Sequence, residues 1–216
     1  MKKISIVLIV MFAVGCGTGN ALAGKRGPGR GHGGMNPSNV VAQYPYQALN
    51  EIEKTGLLQM REEEKLARDV YLTLFKKWKH QVFNNIANSE QRHMDAVKSL
   101  LDKYGLKDPV ADNNIGAFTN PQMKKLYNTL TQKGSASLVN ALLVGATIED
   151  LDIYDLKTLL AQTDNKDIQV IYRNLMKGSR NHLRAFTRAL KAYGKAYTAK
   201  YLPQKEIDQI ISGSWE

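Results

Sequence analysis

Residues 83–104 read FNNIANSEQRHMDAVKSLLDKY, and the fold turns on this stretch. Taken in alternating steps of three and four it gives Phe83, Ile86, Glu90, His93, Val97, Leu100 and Tyr104, one stripe at the helical period. The stripe is apolar apart from Glu90 and His93, which therefore point where a core should be. A bare carboxylate there costs on the order of several kcal/mol unless a partner offsets it. A Glu-x-x-His pair facing into a helical bundle is one established way to hold such a carboxylate, as a ligand to metal. Alone, the pair is also a common accident of solvated helix faces, so other helices must supply matching residues.

Upstream, residues 49–78 form a long helical segment whose cleanest seam is Met60, Glu64, Ala67, Tyr71, Leu74 and Trp78, with Glu64 its one charge. Glu62 and Glu63 fall outside the seam and read as a solvated acidic turn paired with Lys65 and Arg68. His80 follows as a polar cap. Downstream, residues 105–120 are rich in Gly, Pro, Asn and Asp and read as loop. Asn120 and Pro121 then open a short helix that runs to about Gln132 and is closed by Gly134.

The third long helix spans residues 136–162. One seam, Leu138, Leu142, Gly145, Glu149, Asp152, Leu156 and Leu159, turns Glu149 and Asp152 inward; a rival through Ala141, Val144, Ile148, Leu151 and Asp155 is equally apolar, and both stay open. Asp150 and Asp155 read as solvated. The fourth helix, from Ile168, has the seam Ile168, Tyr172, Leu175, Ser179, His182, Phe186, Ala189 and Tyr193, which buries His182. It also repeats the second: HMDAVKSLLDKYG from His93 aligns with HLRAFTRALKAYG from His182.

Length and composition agree. A chain of 216 residues, 43% hydrophobic and with only 6 prolines, has room for one sizeable helical core plus tails. The expected class is all-α: an antiparallel four-helix bundle over residues 41–202 with a long crossover between its second and third helices, the connectivity of ferritin-like bundles. Residues 203–216 complete it as a short helix or tail. Four helices thus each carry polar residues near the middle of an apolar seam: Glu64, Glu90 with His93, Glu149 with Asp152, and His182. One convergent site accounts for all of them.

The residues also carry a family resemblance. IANSEQRHMDAV is similar to the second helix of rubrerythrins, GATIEDLDIY to their third and EKLARDVY to their first, which puts Glu64, Glu90, His93 and Glu149 on ligand positions. Over nearly the whole chain beyond the N-terminal segment, including REEEKLARDVYL, DPVADNNIGAF and GSRNHLRAF, the sequence resembles more closely a prokaryotic domain-of-unknown-function family within the ferritin-like superfamily. The resemblance implies a protein that consumes oxygen or peroxide at iron. It also exposes a departure: where di-iron relatives have the bridging Glu of a second Glu-x-x-His, this chain has Ser179. Either Asp152 compensates, or a single metal is held by Glu64, Glu90 and His93 with His182 and Glu149 behind them. Mixed carboxylate and imidazole donors suit iron or manganese better than calcium or magnesium, and admit zinc.

The N-terminus predicts export. Lys2 and Lys3 precede an apolar run from Ile4 to Val14, too short to span a bilayer, and Ala21 and Ala23 frame a cleavage site, so residues 1–23 read as a signal peptide. Cys16 offers a second reading, a lipoprotein anchor, although Ala13 stands where such sites prefer Leu. Cleavage after Ala23 removes the one cysteine and with it any thiol or disulfide chemistry. Residues 24–40 form a Gly- and Arg-rich tether in which His32 is a solvated spacer. The net charge of +10 favours an anionic envelope surface as partner. Nucleic acid is disfavoured, because the basic residues are scattered along helices with no interleaved aromatic motif. A homodimer is left open.

Three function classes follow: a metal-dependent oxidoreductase or iron-handling protein; a bundle whose buried polar network or metal does not turn over, which Ser179 favours; and an envelope-associated module working through the tether.

Overall fold

A computed structural model describes residues 37–216. Among these residues there are seven helices and no strand: α1 (Pro37–Ala42), α2 (Glu51–Trp78), α3 (Gln81–Lys103), α4 (Pro121–Gly134), α5 (Leu138–Leu160), α6 (Lys166–Ala192) and α7 (Gln204–Ser212). The signal segment, Cys16, His32 and most of the tether lie outside the described residues. Residues 37–40, read as the end of the tether, instead open α1.

Local chemistry sets the boundaries. Asn50 and Glu53 close a capping box on α2: the Asn50 side chain accepts from the amides of Ile52 and Glu53 (2.8 and 2.9 Å), and Glu53 accepts from the Asn50 amide (2.9 Å). Lys79 ends α2 in the left-handed conformation (φ 54°), and His80 caps α3 by accepting from Val82 N. Asn120 with Pro121 starts α4, and Ser137 caps α5 through Asn140 N (3.0 Å).

The long helices pack antiparallel to their neighbours, as residue pairs show. In α2 and α3, Arg61 meets Met94 while Tyr71 meets Phe83. In α5 and α6, Gly145 meets Phe186 and Asp152 meets Ser179. Between these two hairpins, Gly56 meets Leu159 while Tyr71 meets Gly145, and Glu90 meets His182 while Lys103 meets Asp167. Helices α3 and α5 therefore run the same way across the diagonal, so the chain between them must travel the length of the molecule, and α4 lies on that path beside α2 and α5.

Two apolar cores form, one at each end. Tyr71, Leu74, Phe83, Leu142, Leu183 and Phe186 belong to the first. Leu57, Met60, Val97, Leu100, Leu156 and Leu175 belong to the second. In sequence, each long helix passes from one core to the other through its polar positions, Glu64, Glu90 with His93, Glu149 with Asp152, and Ser179 with His182. The polar residues thus occupy one layer at matched depth.

Several charges expected in solvent are buried. Lys65 and Arg68 do not pair with the acidic turn: both bind Asp69, Lys65 at 2.5 Å and Arg68 through two contacts of 2.7 and 2.9 Å. They also reach the 105–120 loop through Asn114 O and Asn113, and the Gly116 amide donates to Asp69. Arg61 forks onto Asp108 of the same loop. The basic residues of REEEKLARD therefore pin the start of the crossover. Asp150 is fully buried, accepting from Tyr197 OH and from the amides of Lys200, Tyr201 and Leu202, which fastens the C-terminal segment. Asp155 is also buried, and with Glu63 it has a carboxylate oxygen without a hydrogen-bond partner.

Candidate metal centre

Glu90 is the centre of the polar layer. Its Oε2 lies 2.8 Å from Nδ1 of His93, one turn on along α3, and its Oε1 lies 2.9 Å from Nδ1 of His182 on α6. Each imidazole has a second carboxylate: Glu64 Oε2 is 3.2 Å from His93 Nδ1, and Glu149 Oε2 is 3.4 Å from His182 Nδ1. The result is two three-residue groups, Glu64 with Glu90 and His93, and Glu90 with Glu149 and His182, in each of which the potential ligand atoms lie within 4.8 Å of one another. All five residues are buried, and the two imidazoles stack with centroids 5.4 Å apart.

Supporting contacts hold these side chains in place. Tyr71 donates to Glu149 Oε1 at 2.5 Å. Gly178 lets the α6 backbone come up to the His93 ring: a Cβ there would lie 2.5 Å from Nε2 and 2.7 Å from Cε1. That side of the imidazole is covered, and Nδ1 is the nitrogen turned to the carboxylates. Ser179 donates to Asp152 Oδ2, so the α5 carboxylate is tied to the position where a second Glu-x-x-His would have its Glu. Asp152 stands beside the two groups and is a member of neither.

Electrostatics divides the carboxylates. Burial raises Glu64 to about 7 against the pull of His93, and burial together with the charge of Glu90 raises Glu149 to about 7. Burial, then Glu64 and Glu149, hold Asp152 well above the carboxylate range. Burial acts on Glu90 in the same direction, but His182 and His93 outweigh it and keep Glu90 ionised into strong acid. Burial opposes charge on both imidazoles, yet their carboxylates prevail: His182 rises to about 9, and His93 is well above its ordinary value.

The donor set could hold a metal ion, on an observation independent of charge. Glu64 Oε1, Glu90 Oε1 and His182 Nδ1 are buried without a hydrogen-bond partner, even though the last two approach to 2.9 Å. Orphaned buried polar atoms cost about 1–3 kcal/mol each. The carboxylate oxygens among these atoms have lone pairs available to a third body, and His182 Nδ1 gains one when the imidazole gives up its proton; carboxylate with imidazole is a donor set that metal ions use.

Residues 53–214 match a family model described as "Uncharacterized protein domain (DUF2202)", a span that contains every residue of the two groups. The chain belongs to the DUF2202 family. A relative, the uncharacterized protein MJ0754 of Methanocaldococcus jannaschii, is 58% identical over 176 residues, covering 82% of this chain and 95% of its own. The crystal structure of hypothetical protein MJ0754 from Methanococcus jannaschii superimposes with a TM-score of 0.78 at 60% identity, covering 80% of this chain and 98% of that one.

The structure brings together Glu64, Glu90, His93, Glu149 and His182, with Asp152 alongside. Two further residues were not singled out from sequence. Tyr71 sits two turns beyond Glu64 in the same seam, and a phenol at core depth was a readable sign of a polar partner. Gly178, inside a long helical pattern, was a sign of close approach.

Proposed function

We propose that this DUF2202 protein is a ferritin-like metal-binding protein that holds iron, or alternatively manganese, at its carboxylate and histidine centre and serves redox or iron-handling chemistry. The observation that carries the reading is Glu90, which presents one oxygen to each of two histidines that each have a further glutamate of their own. The order of the long helices, with α3 and α5 parallel across the diagonal, supports the ferritin-like assignment. Glu64, Glu90 and His93 would hold one ion; Glu90, Glu149 and His182 would hold a second, with Asp152 supplying a carboxylate through its tether to Ser179. Bound iron or manganese would supply one-electron chemistry.

The protein's own residues set the conditions. Glu90 enters the reaction ionised. In the metal-free protein Glu64 and Glu149 hold protons near neutrality that a bound ion would displace, and Tyr71 orients Glu149. The two apolar cores flank the layer on either side along the bundle. A non-catalytic polar network is the second reading, and the charge-paired imidazoles favour it, but it leaves the orphaned oxygens unexplained. The N-terminal sequence supports export, to the periplasm or beyond, with a basic tether available to anionic envelope surfaces.

Elemental analysis of protein purified without a histidine tag tests the reading. Iron or manganese at about one or two ions per chain, lost in Glu90→Ala, is expected. Metal-free protein that stays metal-free after incubation with Fe(II) and Mn(II), with an unchanged melting temperature, would overturn it.

A further inference from the structure

The crossover leaves a way in to the polar layer. Between α2, α4 and α5 lies a cavity of about 590 Å³, against about 30 Å³ for one water molecule in the liquid, so it has room for an ion together with its hydration shell. Helix α4 runs parallel to α2: Asn120 meets Glu62 at 3.2 Å and Tyr127 meets Thr73 at 2.7 Å. It therefore starts level with Glu62, and Thr55, Leu58 and Gln59 of α2 line the cavity ahead of the α4 N-terminus. Thr55 and Gln122, at this end, are exposed. From there the α2 lining passes through Glu62 and Glu63 to Glu64, and the cavity reaches Glu90, Glu149 and Asp152 on the other helices of the layer.

Three carboxylate oxygens of the lining residues have no hydrogen-bond partner. Glu64 and Glu90 are each 2% exposed, and the Oε1 atom of each is buried and unpaired. Glu63 accepts from Gln59 at Oε1 (2.8 Å), while its Oε2 is likewise buried and unpaired. Buried carboxylates are paired or bound to a cation. Six carboxylates line the space against two lysines, Lys133 and Lys200, and Lys133 belongs to the last turn of α4, about 18 Å along the helix from Pro121. Leu58, Leu66, Met123 and Leu126 supply apolar walls. A cleft with one prevailing sign of charge and low-dielectric walls focuses its field and speeds encounter with the opposite ion by about 10–1,000-fold.

We propose that the cavity is the port by which a hydrated divalent cation reaches the centre, and that Glu63, with Glu62 beside it, takes the ion from solvent and passes it to Glu64. The inference rests on the metal centre proposed above, and adds to it a route and a transfer residue that does not hold the ion at equilibrium.

The test uses Co(II), whose visible absorption changes on coordination. Stopped-flow mixing with chelator-treated full-length protein gives the entry rate, mixing of loaded protein with excess EDTA gives the exit rate, and equilibrium titration gives stoichiometry and Kd. Glu63→Gln keeps an acceptor for Gln59 and removes the charge. Entry and exit should both slow by about tenfold with stoichiometry and Kd unchanged. The difference in entry rate should shrink as salt shortens the screening length from about 30 Å at 0.01 M to about 8 Å at 0.15 M. Met123→Trp, in the first turn of α4, should slow both rates by narrowing the passage, and Met123→Ala should not; thermal melts check that each variant is folded. Wild-type rates in Glu63→Gln, or in folded Met123→Trp, overturn the proposal. A raised Kd with an unchanged entry rate makes Glu63 a ligand of the centre and overturns its transfer role. Protein that takes up no Co(II) at equilibrium refutes the metal centre itself, whereas full uptake at rates indifferent to Glu63 refutes this inference alone.

Discussion

Gly178→Ala is the sharpest probe of how the centre is held. In an ordinary helix interior this replacement stabilises by about 1 kcal/mol. Here the new Cβ would lie 2.5 Å from Nε2 of His93, and the ring cannot simply retreat, because its other edge faces Glu90 at 2.8 Å and Glu64 at 3.2 Å. Overpacking of this kind costs about 1–3 kcal/mol. The net expectation is therefore a loss of about 0–2 kcal/mol, with His93 displaced from its carboxylates and metal affinity down by about 10–100-fold. The control is the same replacement in a His93→Ala background, where the ring is gone and the ordinary helix gain of about 1 kcal/mol should return. Urea unfolding of the four proteins in chelator gives the coupling, expected at about 1–3 kcal/mol, and metal titration gives the affinity. If Gly178→Ala stabilises both backgrounds equally and metal binding is unchanged, the His93 ring is not fixed as described.

Four further predictions follow from the same geometry. Glu90→Ala, which strips both imidazoles of their shared carboxylate, should abolish metal uptake and cost about 3–5 kcal/mol in metal-free protein, read by denaturant melts; retained metal would refute the shared role. Tyr71→Phe should leave the fold intact, cost about 1–2 kcal/mol and weaken metal binding less than Glu149→Ala does, by calorimetry. Ser179→Glu should raise metal stoichiometry and speed Fe(II) oxidation; a destabilised variant with no added metal would rule out a second metal position while sparing the first. In chelator, Glu64 and Glu149, raised from 4.5 to about 7, and His182, raised from 6.5 to about 9, bind protons more tightly folded than unfolded. Their stabilisation is complete below about pH 4.5 for the glutamates and below about 6.5 for His182, and is lost as pH rises through 7 and 9, so the metal-free melting temperature should fall from pH 5 to 9. Metal must displace those protons, so the gap between metal-loaded and metal-free melts should widen over the same range, and parallel curves would contradict it.

The helices and the central residues were legible because the four long helices have continuous apolar seams, and a polar residue in such a seam stands out. Glu64, Glu90, His93 and His182 are all of this kind. The reading failed where burial came from elsewhere in the chain. Lys65, Arg68 and Asp69 have the spacing of a solvated helix face, and the return of residues 113–118, together with Gln91 of α3, covers them. Asp150 and Asp155 lie on a helix enclosed on most sides by α4, α6 and the C-terminal segment, so the choice between two seams on α5 was a false one: Glu149 and Ile148 are both buried. Solvated carboxylates and carboxylates that gather backbone amides, as Asp150 does, look alike until the amides arrive.

The internal repeat is unequal in what each half can do alone. Glu64, Glu90 and His93 all come from the α2–α3 hairpin, whereas the α5–α6 hairpin brings Glu149 and His182 and must borrow Glu90. The first group of donors is complete as soon as one hairpin closes; the second comes into being only when the two hairpins dock. An ion held by the second group would therefore act as a clasp between the halves of the chain, resisting their separation by its own binding energy, while an ion in the first would leave them free to part.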